Sequence, residues 1–142
     1  MTTNNYAEKI LMSIQEAIDK LNDNQFPFLK MLGGSVINLD VDAQTCTMEF
    51  NVSTEFCHSI DVVQGGFVTA MLDAVMSHAI FGLDDGIINV SSLEIKTSFL
   101  EPTRAGKIIA TGKIIKAGYK IGFMEGQLYN ANNELTATAS SV

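Results

Sequence analysis

The chain is short of positive charge. Nine Lys and Arg stand against sixteen Asp and Glu, a formal charge of −7 with a pI near 4.6. A general nucleic-acid binder needs a basic stripe to neutralise phosphates, so that class is excluded. A local site for an acidic small molecule is still open to nine cations. Cysteine is scarce too: Cys46 and Cys57 form no CxxC pair, and with only two histidines they make no metal-ligand spacing. Two reduced thiols are expected, with no metal and no disulfide framework. No run reaches about 18 uninterrupted apolar residues, so no membrane-crossing helix is predicted. Met1 to Leu21 lacks a basic segment followed by an apolar run, so no secretory signal is expected and the cytoplasm is the expected compartment. Linkers and repeats are also missing. What remains is a 142-residue chain, 46% hydrophobic and 18% charged, expected to form one domain with a core that needs no covalent staple.

From Asn5 to Leu21, Tyr6, Ile10, Ile14, Ala17, Ile18 and Leu21 recur at three- and four-residue intervals with charged residues between them, the pattern of an amphipathic surface helix. Asn22 to Asn24 ends it. Phe26-Pro27-Phe28-Leu29 then reads as a bulky apolar loop that must bury itself. Val36 to Val41 and Cys46 to Val52, joined by the turn-like Asp42 to Thr45, predict a hairpin. Ser53 to Gln64 reads as irregular and carries His58, Asp61 and Gln64. Beyond Gly86 the pattern is β throughout, with strands predicted over Ile87–Leu100, Lys107–Lys116, Lys120–Tyr129 and Leu135–Ser141. Short turns between them predict an antiparallel meander. The fold class is α+β, with five to six strands and one helix long enough to lie across the sheet.

That helix is the run from Gly65 to Ala79. It is apolar on nearly every side, so it is expected to be buried. Its polar residues Thr69, Asp73 and Ser77 are spaced by four and form one narrow stripe; His78 lies off it. A carboxylate in the middle of such a helix needs partners or a changed pKa, which makes Asp73 the first candidate for chemistry. Gly65 and Gly66 open the helix. Its first N–H groups have no internal partner, and with the positive end of the dipole they are suited to hold a carbonyl oxygen on which negative charge grows. Asp73 lies roughly 10 Å further along the axis at ~1.5 Å per residue. The two ends of one helix therefore serve one atom only if the substrate is long or a second subunit contributes, which points to a dimer.

Gln64-Gly65-Gly66, followed by Ala70, Asp73, Ala79, Ser92, Phe99-Leu100-Glu101-Pro102, Gly106 and Gly118, resembles the hotdog-fold acyl-CoA thioesterases of the 4-hydroxybenzoyl-CoA and phenylacetate-pathway type. The resemblance covers about residues 30–142, with residues 1–29 as an N-terminal helix and apolar loop within the same domain. It implies a curved antiparallel sheet wrapped around the long helix, assembled as a homodimer or a dimer of dimers. It further implies that the substrate is an acyl-CoA, with coenzyme A entering as part of the substrate and no separate cofactor. By the same resemblance Asp73 is general base or nucleophile, the Gly65 or Gly66 N–H holds the thioester oxygen, and Ser92, from a strand, helps place the attacking water. Gly118, Tyr119 and Lys120 match a turn near the nucleotide or pantetheine of coenzyme A. Two positions depart from the family pattern. Gln64 stands where the family commonly has His, and it can hydrogen-bond but not exchange a proton at neutral pH. His58 stands where Asn is frequent, and it supplies an acid or base if its loop turns inward. A hotdog hydratase or dehydratase, and an acyl-CoA binding protein without catalysis, are the alternatives.

Overall fold

The computed structural model describes residues 3–84 and 86–142; for residues 3–7 and 10–12 it describes the backbone alone. The expected hairpin is present as β1 (Gly34–Asp40) and β2 (Thr45–Val52), paired antiparallel from Gly34 opposite Phe50 to Asp40 opposite Thr45. The long helix, α3 (Gly65–Leu83), follows, and the chain ends in β5 (Ile95–Phe99), β6 (Gly106–Ala117), β7 (Gly122–Tyr129) and β8 (Leu135–Ser141). These strands and the hairpin make one six-stranded sheet, fully antiparallel, in the order β1-β2-β6-β7-β8-β5.

The helix lies on the sheet because its inward side chains, Val68, Met71, Leu72, Val75, Met76 and Ala79, meet the buried faces of β2, β6, β7 and β8. Phe50, Met48, Ile108 and Leu128 complete that core with no more than 1% exposure. Gly112 of β6 fixes how closely the two layers approach. A Cβ built there would sit 2.5 Å from the Val75 carbonyl oxygen, so helix backbone rests almost on strand backbone. By length and composition α3 is apolar enough to cross a membrane. Here those apolar residues are spent on the sheet.

The amphipathic N-terminal segment is α1 (Thr3–Asp23), and Ile14, Ala17, Ile18 and Leu21 face the core. The side chains of Tyr6 and Ile10 lie outside the described residues. Asn22 ties the end of α1 to the edge strand β1: its Nδ2 donates to the Val36 carbonyl at 2.9 Å and its Oδ1 accepts from the Val36 N–H at 2.8 Å. An edge that would otherwise be open is closed at that point.

Four expectations are corrected. Phe26-Pro27-Phe28-Leu29 is not a loop that buries itself. Pro27, with its φ already helical, starts a short helix, α2 (Pro27–Met31), which buries Leu29 and leaves Phe26 and Phe28 about half exposed and stacked on each other. Ser53–Gln64 is more ordered than predicted, with a 3₁₀ turn at Thr54–Phe56 and a two-stranded ribbon of β3 (Cys57–Ser59) and β4 (Val62–Val63). The predicted strand Ile87–Leu100 shrinks to Ile95–Phe99. Residues before Leu93 have no strand beside them, and Ile88, at 93% exposure, has no face to bury against. Finally, the C-terminal strands do not form one continuous meander. β6, β7 and β8 do, but β5 crosses to the far edge beside β8 while β6 pairs with β2. The loop from Leu100 to Ala105 is what spans that gap, so strands adjacent in sequence are not adjacent in the sheet.

Candidate functional site

The polar stripe of α3 faces the segment that enters β5. Thr69 Oγ1 and Thr97 Oγ1 are 2.9 Å apart, and one turn on, Ser92 Oγ donates to Asp73 Oδ1 at 2.7 Å. The costly mid-helix carboxylate is thus half-buried and partnered. Ser92 reaches it from the irregular run before β5, not from a strand as expected, because the ladder with β8 starts only at Ile95. One Asp73 oxygen holds the hydroxyl; its second oxygen remains for a substrate or water.

Asp73, Ser77 and Ser92 line a cavity of about 260 Å³ together with Lys120 and Ile121 of the β6–β7 turn. Of the three turn residues expected near coenzyme A, Lys120 is brought to the carboxylate's pocket. Tyr119 points to solvent at 98% exposure, and Gly118 shapes the turn, its N–H bonded to the Ile121 carbonyl at 2.8 Å. A cation facing the pocket of a lone carboxylate gives it one anion-attracting wall in an otherwise acidic protein. Sequence reasoning passed over Asn89, Val90 and Ile121, which also line the pocket. The register of the β6–β7 turn against α3 is what brings Ile121 there, and no local pattern encodes it.

The helix N-terminus forms a second, separate cleft. Gly65 lines it with His58, Phe99 and Pro102 in a volume of about 490 Å³. Phe99 lies so close over Gly65 that a Cβ there would come within 3.2 Å of its ring. The two glycine amides are not equivalent. Gln64 Oε1 accepts from the Gly66 N–H at 2.7 Å, so the side chain in the expected His position caps the helix from within. The Gly65 N–H has no such partner among the described residues. His58 is exposed, its Nδ1 2.7 Å from Ser59 Oγ, and it shares a cleft with Gly65 rather than with Asp73. Asp61 is taken up by Arg104 in an exposed ion pair at 2.7 Å. Among the described residues no cluster of three or more His, Cys, Asp or Glu is arranged to hold a metal.

Residues 61–137 match the profile of the thioesterase superfamily, over half of the chain and across Gln64, Asp73, Ser92 and Lys120. The chain belongs to the thioesterase superfamily. A Saccharolobus solfataricus protein named as an esterase is 29% identical over 124 residues, spanning 87% of this chain and 84% of that one. Among solved structures, a Ralstonia eutropha protein described as a thioesterase related to phenylacetic acid degradation superposes with a TM-score of 0.79 at 24% identity, covering 91% of this chain and 96% of that one. The PaaI protein of the E. coli phenylacetic acid degradation operon superposes at 0.77 with 17% identity, over 92% and 91% of the two chains. At such identities these structures bear on the fold, and the expected hotdog architecture is the one observed. Family membership makes the protein a hydrolase of the thioesterase class. The superfamily match begins at Asp61, so His58 and the whole of α1 lie outside it.

Proposed function

We propose that the protein hydrolyses an acyl-CoA thioester to a free acid and coenzyme A, with Asp73 as general base or nucleophile. The observation that carries the reading is the Ser92 hydroxyl held 2.7 Å from Asp73 Oδ1 in a pocket that Lys120 also lines. The hydroxyl fixes one carboxylate oxygen and directs the other at water or at the thioester carbon, which supplies orientation. Lys120, with the Gly118–Tyr119 turn behind it, is the cation for the phosphate-bearing arm of the substrate.

Protomer geometry supports a site shared between two copies. Gly65 and Asp73 lie in different cavities, about 12 Å apart along the helix axis at ~1.5 Å per residue. The outer edge of β5 has no strand beside it, and Phe99 and Leu100 at its end are more than half exposed. Pairing β5 with β5 of a second copy across a two-fold axis brings the helix N-terminus of one protomer toward Asp73 of the other. The Gly65 N–H then polarises the thioester oxygen. We infer a homodimer, or a dimer of dimers, acting in the cytoplasm on a small-molecule acyl-CoA with no added cofactor, membrane or nucleic acid.

One observation favours a second reading, an acyl-CoA binder without turnover: Gln64 Oε1 already occupies the Gly66 N–H. A single experiment separates the two. Thiol release is followed over short, medium, long and aromatic acyl-CoAs for the wild type and for Asp73→Asn. Turnover that vanishes in the variant, with substrate binding retained, is the expected result. Wild-type turnover in Asp73→Asn overturns the assignment, and tight binding without turnover in the wild type establishes the binder.

A further inference from the structure

The largest of these cavities, about 520 Å³, is not the one that holds Asp73. It lies where the last turns of α1 and the start of α2 pass over the C-terminal half of α3, walled by Leu21, Phe26, Phe81 and Ile87. His78 also lines it, five residues beyond Asp73 and so about 140° round the helix at about 100° per residue. Its occupant is therefore presented to a different face of α3 from the carboxylate.

His78 gives this cavity a defined polar group. The residue is 4% exposed, and its Nδ1 lies 2.7 Å from the Ala74 carbonyl oxygen. A carbonyl only accepts, so Nδ1 carries the proton. Burial lowers the ring's pKa below its usual 6.5, which keeps the imidazole neutral. Nε2 therefore presents a lone pair, and it has no hydrogen-bond partner among the described residues. No fully buried side-chain nitrogen or oxygen there is left unpartnered, so Nε2 is reachable, and the cavity His78 lines is where it is reached. Phe26 and Phe81 stand edge-on to the ring, at 6.5 and 5.9 Å between centroids and close to 90°, and hold its plane. At the solvent side, the exposed Lys20 of α1 lines the same cavity; Asn24 beside it is engaged through Nδ2 with the Lys20 carbonyl at 2.9 Å.

We propose that this cavity is a second small-molecule site, which takes an amphipathic monocarboxylate bearing a hydroxyl at the end remote from its carboxylate. The apolar body lies between Leu21, Phe26 and Phe81, the hydroxyl donates to His78 Nε2, and the carboxylate meets Lys20. One cation in a protein of net charge −7 suits a single negative charge and not a polyphosphate. A buried acceptor in the cavity wall selects a donor, because a ligand without one leaves Nε2 desolvated and unpaired. The site is built partly from α1, which lies outside the residues that match the superfamily profile. It is independent of whether Asp73 turns over an acyl-CoA.

The test is a binding experiment on the full chain, with 3-(4-hydroxyphenyl)propanoate as probe, 3-phenylpropanoate lacking the hydroxyl, and 3-(4-hydroxyphenyl)propanamide lacking the charge. Affinity is measured by calorimetry, and the His78 ring nitrogens are followed by long-range proton–nitrogen NMR. The hydroxy acid is expected to bind about fivefold more tightly than 3-phenylpropanoate, the scale of one neutral hydrogen bond, and to shift the Nε2 resonance. His78→Phe is expected to erase that preference and still bind 3-phenylpropanoate; Lys20→Gln is expected to weaken both acids and leave the amide unchanged. Equal affinity for the hydroxylated and unhydroxylated acids in the wild type overturns the proposal. So does an unmoved His78 ring with shifts confined to Ser77 and Asn89, which would put the probe in the Asp73 pocket, or no binding at millimolar probe. The wild-type comparison decides even if His78→Phe fails to fold.

Discussion

Replacing Ser92 by Ala removes the one hydroxyl that donates a hydrogen bond to Asp73 Oδ1 and almost nothing else. The Ser92 hydroxyl donates to Oδ1 at 2.7 Å, a length typical of an O–H bond to a charged acceptor. Such bonds contribute about 1.5–3 kcal/mol. Ser92 is an exposed residue and Asp73 is half-buried, so water screens the pair and the lower part of that range applies. About 1.5 kcal/mol, if it acts on the orientation of the carboxylate in the transition state, lowers kcat roughly tenfold. KM should change little, since Lys120 and not Ser92 is assigned to the substrate's anionic arm. Steady-state thiol release from the best acyl-CoA measures both constants, and Ser92→Thr, which keeps the hydroxyl, should recover most of the loss. Thermal melting should hardly move, because Ser92 sits outside the strand ladder. The reasoning is refuted by a Ser92→Ala enzyme with unchanged kcat alongside an inactive Asp73→Asn, since the hydroxyl would then have no part in positioning the carboxylate.

Three further outcomes test other parts of the structure. Gly112→Ala places a methyl 2.5 Å from the Val75 carbonyl oxygen and 2.9 Å from Met76 Cα, so α3 must lift from the sheet; a loss of about 1–3 kcal/mol should appear as a lower urea midpoint, and an unchanged midpoint contradicts the close approach. Native protein treated with iodoacetamide should gain a single adduct by mass, at the half-buried Cys57, because burial pushes the Cys46 thiol up to about 12; two adducts should appear in denaturant, and native labelling of Cys46 would contradict its burial. His78 is neutral in the fold and its pKa is lowered, so the unfolded chain binds the extra proton first and stability should fall as pH drops below about 6.5, by at most about 1.4 kcal/mol per pH unit. Urea midpoints from pH 7 to pH 5 measure that slope, and His78→Phe should flatten it; an identical slope in the variant would assign it to other groups.

The central helix was legible because its signals are local. Apolar side chains all round, the four-residue spacing of Thr69 and Asp73, and the glycine pair at its start can each be read without knowing the rest of the chain. Paired turns fixed β1 with β2 and β6 with β7 in the same way. The position of β5 was not legible, since pairing with β8 rather than β6 depends on a crossover of the Leu100–Ala105 loop, and a β-rich stretch looks alike wherever it pairs. The same ignorance of pairing extended the strand back to Ile87 and put Ser92 inside it. The resemblance gave Ser92 a part in placing water, but its hydrogen bond to Asp73 was not legible, for nothing in the residues near Ser92 encodes a helix nineteen positions upstream. His78 was visible as a histidine off the polar stripe, but a use for Nε2 emerged only when α1 and Phe26 closed over it.

Gln64 is where the local and the shared requirements of the site conflict. A side-chain acceptor at the start of α3 stabilises the helix by taking up one of its orphan amides, typically by about 1 kcal/mol. The same acceptor withholds the Gly66 N–H from a thioester oxygen. If the oxyanion needs Gly66, Gln64 must swing away at each turnover, and Gln64→Ala should raise kcat while lowering the melting temperature. If the oxyanion uses the Gly65 N–H, which nothing in the described chain occupies, the cap stays in place and Gln64→Ala should lower stability with kcat unchanged or reduced. The second outcome is the one expected, because Gly65 lines the cleft beneath Phe99 whereas the Gly66 amide is already turned to its own cap. A kcat that rises in Gln64→Ala would move the oxyanion to Gly66 and make the glutamine a brake on the enzyme rather than a part of its scaffold.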